Sequence, residues 1–72
     1  MSTLVKRSFS LAGHRTSVAL EAEFWAVLNK LAARRSVPLA SFVAMLDSER
    51  PADRPLASVL RVHALLADRA DR

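Results

Sequence analysis

The chain has 72 residues, 51 % of them hydrophobic, and 11 Lys and Arg against 7 Asp and Glu give it a net charge of +4. It holds no cysteine, so disulfides cannot stabilise so small a domain, and oligomerisation is the remaining route. These values indicate one domain and favour a homodimer with a shared core. No stretch approaches the roughly 20 apolar residues that cross a bilayer, and residues 1–3 lack the apolar run of a secretory signal, so a cytoplasmic protein is expected.

Positive charge is concentrated at the start of the chain. Residues 1–20 carry Lys6, Arg7 and Arg15 with no acidic residue, whereas the remaining 8 basic and all 7 acidic side chains lie in residues 21–72. Such an asymmetry favours an anionic polymer as a partner, and a solvated basic tail is the alternative.

The first predicted element is a weakly extended segment over residues 4–11, within a basic N-terminal segment of residues 1–14. It is followed by Ala12 and the only glycine, Gly13, the residue best able to adopt a positive φ. Two interpretations stay open. Residues 4–11 either form an extra strand joined by a hairpin turn to residues 15–20, or they form a mobile basic arm.

Residues 15–20 alternate as a half-buried strand does, with Thr16, Val18 and Leu20 on one face. The opposite face carries Arg15, Ser17 and Ala19. We expect a single short strand per chain, and such a strand must find its partner in a second copy. The expected result is a two-stranded antiparallel ribbon between chains, which fits the DNA major groove.

Three amphipathic helices are expected next, because apolar residues recur at helical spacing. The first covers residues 22–35, the second starts near Pro38 and runs to about residue 47, and a polar linker with two prolines covers residues 48–55. A C-terminal helix and tail occupy residues 56–72, with Leu56, Val59, Leu60, His63 and Leu66 on its apolar face. The fold class is therefore mainly α with one short β-strand per chain.

A strand that is apolar on one face, followed by two helices joined by a short turn, resembles the ribbon-helix-helix (Arc/MetJ-type) DNA-binding family. The resemblance covers residues 15–47, and the string from Gly13 to Val18 is similar to an extended bacterial subfamily with a third helix. It implies a homodimer whose ribbon reads base edges through Arg15, Ser17 and Ala19. It also implies that backbone N–H groups at the start of the second helix, around Pro38, Leu39 and Ala40, hold a DNA phosphate.

Further roles follow from charge and from apolar spacing. Lys6, Arg7 and His14 are expected to contact phosphates. The dimer core is expected to contain Val18, Leu20, Phe24, Leu28, Leu31, Phe42, Val43 and Leu46. Two positions depart from the family pattern, because Ser36 and Pro38 stand where the turn usually carries a glycine and a capping hydroxyl. Trp25, which has no second aromatic beside it for base stacking, is interpreted as a core or rim residue.

No enzyme, metal site or cofactor is expected. The chain has two separated histidines and a single glycine, which give neither zinc-ligand spacing nor a phosphate-binding glycine loop. The leading hypothesis is a sequence-specific binder of double-stranded DNA that acts as a small repressor or autoregulator. The alternative is an antitoxin or another protein-interaction module with a toxin-like partner. Neither a membrane nor a small-molecule substrate is an expected partner.

Overall fold

A computed structural model describes residues 3–70 and places two strands before three helices. The elements are β1 (Leu4–Leu11), β2 (His14–Glu21), α1 (Ala22–Arg34), α2 (Leu39–Glu49) and α3 (Leu56–Ala70). The three helices lie within two residues of their expected bounds. Pro38 precedes the first residue of α2 as its N-cap, where its missing N–H costs no helical hydrogen bond.

The two strands form an antiparallel hairpin, in which Leu11 lies opposite His14 and Val5 opposite Leu20. Ala12 and Gly13 make the two-residue turn, with φ of 50° and 81°. Two consecutive positive φ angles are typical of the type I′ turn, whose twist matches that of the flanking strands. Of the two interpretations of residues 4–11, the extra strand is therefore confirmed, and the mobile arm is wrong.

The expectation of one strand per chain is also wrong. Val18 and Leu20 are 4 % and 0 % exposed within a single chain, because β1 supplies the second strand of the ribbon. Phe9 and Leu11 of β1 are buried on the same side of the hairpin. The apolar face of β2 thus needs no second chain to cover it.

The core lies between the inner face of the hairpin and the three helices. Six residues expected in a dimer core are buried here within one chain: Val18, Leu20, Leu28, Phe42, Val43 and Leu46. Phe24 and Leu31 are only partly buried and pack against the edge of this core.

Trp25 joins α1 to β1. It is 2 % exposed, its indole Nε1 donates a hydrogen bond to the Val5 carbonyl oxygen at 2.8 Å, and its ring centroid lies 5.8 Å from that of Phe9. A buried indole is stable when its N–H has a partner. Trp25 therefore belongs to the core and is closed to base stacking.

The turn between α1 and α2 uses a serine where glycine is usual. Ser36 has a φ of 57°. Its N–H donates a hydrogen bond to the Ala33 carbonyl oxygen at 3.0 Å, and the N–H of Val37 donates one to the Ala32 carbonyl oxygen at 3.1 Å. These paired bonds form a Schellman motif, which satisfies the last carbonyls of a helix. The turn thus closes α1 without the glycine.

Helix α3 packs on its own chain through residues four apart. Leu56, Leu60 and Ala64 are buried, whereas Leu66 is 57 % exposed. Leu66, which belongs to the apolar face expected from the sequence, lies beside the buried stripe in the single chain, because that stripe advances in steps of four. His63 is half-buried and lies edge-on to the Phe42 ring, with 5.7 Å between centroids.

An ion pair ties α3 to the end of the hairpin. Arg61 Nε donates to Glu21 Oε1 at 3.0 Å, and Glu21 is also the N-cap residue of α1. The backbone N–H of Glu21 and the Arg61 guanidinium hold the pKa of this carboxyl below its ordinary value of 4.5. The carboxylate is thus favoured in the folded chain.

We expect Glu21→Gln to lower the melting temperature at neutral pH and to leave it little changed in acid. A carboxyl whose pKa is lowered by folding stabilises the protein above its unfolded pKa, and this contribution is lost as the pH falls through the folded value. Thermal unfolding of both proteins between pH 7 and pH 2.5 checks this. A difference that persists undiminished at the acid end would contradict the ionic origin of the effect.

Candidate nucleic-acid interface

The face of the hairpin that points away from the core is polar. Strand register brings Lys6 opposite Ala19, Ser8 opposite Ser17, and Ser10 opposite Arg15. All of these are exposed except Ala19, which is half-buried. We call these six residues, Lys6, Ser8, Ser10, Arg15, Ser17 and Ala19, the outer ribbon face.

Two hydroxyl groups lie at the centre of the outer ribbon face. Ser8 Oγ and Ser17 Oγ are 3.0 Å apart, which is a hydrogen bond in which either group can donate. A hydroxyl carries one donor and two acceptor sites. Whichever serine donates, the pair therefore keeps one O–H donor and further lone pairs for a ligand.

Positive charges lie on either side of this hydroxyl pair. Lys6 and Arg15 stand near opposite ends of the outer ribbon face on different strands. Within residues 3–70 neither cation forms an ion pair with an acidic side chain. The nearest carboxylate in the register is Glu21, opposite Leu4, and Arg61 binds it. The outer ribbon face is therefore free to attract an anion.

Two other basic residues near this face are placed differently from Lys6. Arg7 has the parity of the inner face, and its guanidinium carbon lies 5.4 Å from the centroid of the Trp25 ring, a cation–π distance. His14 is exposed beside the hairpin turn, at the position opposite Leu11. The structure thus separates Arg7 and His14 from Lys6, although the sequence grouped all three.

The start of α2 contributes backbone rather than side-chain donors. Pro38 makes no side-chain capping bond, Leu39 is half-buried, and Ala40 is exposed. The first N–H groups of a helix lack intrahelical acceptors and favour an anion. No acidic residue lies in this first turn, so no carboxylate of the turn would repel an anion at the N-terminal end of α2.

Sequence reasoning missed Ser8 and Ser10 as members of the outer ribbon face. Their alternation with Val5 and Phe9 is visible in the sequence, and it places them on one face with Lys6. The register that sets them beside Ser17 and Arg15 depends on the turn at Ala12 and Gly13. The alternation of polar and apolar residues in β1 was thus visible in the sequence, whereas the pairing of β1 with β2 was not.

Comparison with known families assigns the fold. A family model described as a ribbon-helix-helix domain matches residues 4–67. The chain therefore belongs to the ribbon-helix-helix family, a family of regulators that generally bind DNA, dimerise and lack enzymatic activity. No curated protein and no solved structure matches the chain significantly.

Two further features of the described chain bear on its chemistry. None of the helices within residues 3–70 has the length and apolar character needed to span a bilayer. In the same residues, no three His, Asp or Glu side chains are grouped as metal ligands would be.

Proposed function

We propose that the protein binds specific sequences in double-stranded DNA as a homodimer and acts in the cytoplasm as a small transcriptional repressor or autoregulator. The outer ribbon face carries this proposal. It is a largely exposed, two-stranded surface with two cations that form no ion pair within residues 3–70, in a chain of a DNA-binding family. Such a ribbon has the size that a major groove admits.

Three residues of β2 would read bases. Arg15 can form two hydrogen bonds to guanine O6 and N7, Ser17 can bond to either kind of base edge, and the methyl group of Ala19 can contact a thymine methyl. All three point away from the buried Val18 and Leu20. The residues that would read bases thus lie on the side of β2 that stays accessible after folding.

Phosphate contacts would hold the ribbon in the groove. Lys6 lies on the same face as Arg15 and can reach a flanking phosphate, and the backbone N–H groups after Pro38 can bind another. His14 is exposed at the tip and can add a third. Arg7 faces Trp25 instead and would need to leave that ring to join them.

A homodimer would bring the strands of two chains together about a two-fold axis, in a ribbon to which both chains contribute. Such a two-fold arrangement would match pseudo-palindromic half-sites in the DNA. A surface for the second copy is available between α1 and α3, where an open cavity of about 150 Å³ is lined by Glu23, Phe24, Val27, Ala64, Leu65 and Asp68. Leu65 is 52 % exposed there.

A protein-interaction module, such as an antitoxin with a toxin-like partner, is the second candidate. The observation that favours it is the adjacent pair Leu65 and Leu66 on α3, both more than half exposed. Exposed apolar residues grouped on one element mark interaction surfaces. Because α3 is already folded onto its own chain, such a partner would bind its outer side.

Arg15→Ala should weaken binding to the preferred DNA site by about 1–3 kcal/mol and flatten the discrimination between sites. The preferred site comes first from selection in a random DNA pool. Fluorescence anisotropy on that site and on a scrambled duplex, over a range of salt concentrations, then measures affinity and salt dependence.

Matched variants separate base reading from charge attraction. Lys6→Ala should weaken binding to both duplexes alike and reduce the salt slope, because fewer counterions are released. Arg54→Ala removes the same charge from the exposed linker before α3 and should change little. If Arg15→Ala binds the selected site as well as the unaltered protein does, or if selection enriches no motif, base reading by the ribbon is refuted and the interaction module is favoured.

A further inference from the structure

A cavity of about 240 Å³ lies between β1 and α1, on the inner side of the hairpin. It is lined by six residues of these two elements: Val5, Arg7, Ala22, Trp25, Ala26 and Asn29. We propose that this cavity binds a small organic acid, whose carboxylate is held by Arg7 and Asn29. The site is separate from the outer ribbon face and its ligand is not DNA, so it goes beyond the proposed function.

Arg7 is a cation on the inner side of β1, where the alternating residues Phe9 and Leu11 are buried. Its side chain is exposed, and its guanidinium carbon lies 5.4 Å from the centroid of the Trp25 ring. Within residues 3–70 it forms neither an ion pair nor a side-chain hydrogen bond. A guanidinium carries five N–H donors, and those of Arg7 are therefore available to an acceptor in the cavity.

Trp25 gives Arg7 a fixed surface to lie on. The indole is 2 % exposed, and its Nε1 donates a hydrogen bond to the Val5 carbonyl oxygen at 2.8 Å, so the ring is held in place. A guanidinium over an indole is attracted by the ring and can keep its planar edge for a carboxylate. Because a donor that is already positioned loses less entropy on binding, this arrangement favours a ligand at Arg7.

Asn29 supplies the second polar side chain of the cavity. It lies on α1 four residues after Trp25, is exposed, and makes no side-chain hydrogen bond to any other residue of the described chain. Its amide group carries two N–H donors, whereas an ionised carboxylate only accepts, through two oxygens. The guanidinium and the amide together therefore match a carboxylate, and hydrogen bonds to such a charged group are among the strong ones.

The surroundings of the cavity also favour an anion. None of its lining residues is acidic; Glu21 is bound by Arg61, and Glu23 lines the separate cavity between α1 and α3. Ala22 is the first residue of α1, whose N-terminus has no side-chain cap, so the helix adds a partial positive charge there. No carboxylate of the lining thus competes with a ligand for Arg7.

The apolar walls and the volume limit the ligand to a small molecule with a short aliphatic part. Val5, Ala22 and Ala26 contribute aliphatic groups, and the volume is below the roughly 300–1,000 Å³ of pockets for drug-sized ligands. The cavity is on the inner side of β1 and faces away from any DNA on the outer ribbon face. A monocarboxylic acid with a short aliphatic chain therefore fits this cavity.

The experiment titrates the isotope-labelled protein with sodium isobutyrate at constant ionic strength and follows its NMR spectrum. We expect saturable shifts of the Arg7 Nε–H and Asn29 amide signals, with a dissociation constant of about 10 mM or less. Acetate should bind more weakly, by about fourfold for each buried methylene that it lacks. Isobutyramide has the same shape without the charge and should cause no saturable shift.

Variants assign the binding to the cavity. Arg7→Gln should lose about ten- to a hundredfold in affinity for isobutyrate, the range of hydrogen bonds to a charged group, and Asn29→Ala about two- to tenfold. Lys30→Gln removes a charge from the exposed residue next to Asn29 and should bind as the unaltered protein does. Melting curves show which variants are folded, and Asn29→Ala, at an exposed helical position, tests the site even if Arg7→Gln unfolds.

The proposal is overturned if isobutyramide shifts the same signals as isobutyrate, or if Lys30→Gln weakens binding as much as Arg7→Gln, since overall charge would then explain the attraction. It is also overturned if inorganic phosphate or a random DNA duplex shifts the Arg7 signal while carboxylates do not, because Arg7 would then be a phosphate contact. None of these results decides whether the outer ribbon face reads bases, so the proposed function is tested separately.

Discussion

Val18→Lys should unfold the protein. Val18 is 4 % exposed and faces the core from β2, and none of the acidic side chains within residues 3–70 is buried there. An uncompensated buried charge costs about 3–5 kcal/mol, and the lost burial of the valine adds about 1.5–3 kcal/mol. A domain of this length has a total stability of about 4–11 kcal/mol. Circular dichroism and analytical ultracentrifugation of the purified variant measure the result.

Ser17→Lys is the matched control for this variant. It places the same side chain one residue away, on the exposed side of the same strand, and surface substitutions usually change stability by less than about 0.5 kcal/mol. We expect it to melt close to the unaltered protein. A Val18→Lys protein that stays folded with an unchanged melting temperature would show that this face of β2 is not buried in solution.

Leu60→Ala should cost about 2–5 kcal/mol, as truncations of fully buried leucines do. Leu60 is 0 % exposed and lies at the centre of the buried stripe of α3. For a domain of this size, each kcal/mol lowers the melting temperature by about 4–8 °C, so a fall on the order of 10 °C or more is expected. Urea unfolding measures the loss in free energy of unfolding, and thermal unfolding measures the fall in melting temperature.

The same substitution at Leu66, which is 57 % exposed on the same helix, should cost less than about 0.5 kcal/mol. Helix propensity changes equally in both variants, so the difference between them isolates burial. Equal losses at positions 60 and 66 would mean that another copy covers Leu66 in solution. The melting temperature of Leu66→Ala would then depend on protein concentration.

The helices were predictable because their apolar spacing and their breaks are local properties. The Ser36–Pro38 turn and the prolines after α2 stop each helix within two residues of the expected position. The buried stripe of α3 was harder, because both Leu60 and Leu66 suit an apolar face. Only the packing of α3 against α1 and β2 decides which of them is covered.

The second strand was not predictable with the same certainty. Arg7 interrupts the alternation of β1, and its place over Trp25 depends on a tertiary contact 18 residues away in sequence. The turn is also a weak signal, because an alanine with a φ of 50° occupies the position where Asn, Asp or Gly usually stands. Sequence reasoning therefore assigned the partner strand to a second chain.

The outer ribbon face was predicted for β2 and incompletely for β1. Because Val18 and Leu20 are buried, Arg15 and Ser17 are exposed whichever strand pairs with β2. Their exposure could therefore be predicted from alternation alone. The contact between Ser8 and Ser17 depends on register, which the length of the turn sets. A turn one residue longer would shift every partner in β1.

The position of Trp25 gives the molecule a built-in optical probe. It is the only tryptophan, and the chain has no tyrosine, so the intrinsic emission comes from one indole held between α1 and β1. Circular dichroism is dominated by the three helices, whereas this emission responds to contact with the hairpin. Recording both signals in one titration would therefore distinguish a ribbon that lifts from its helices from a chain that unfolds as a whole.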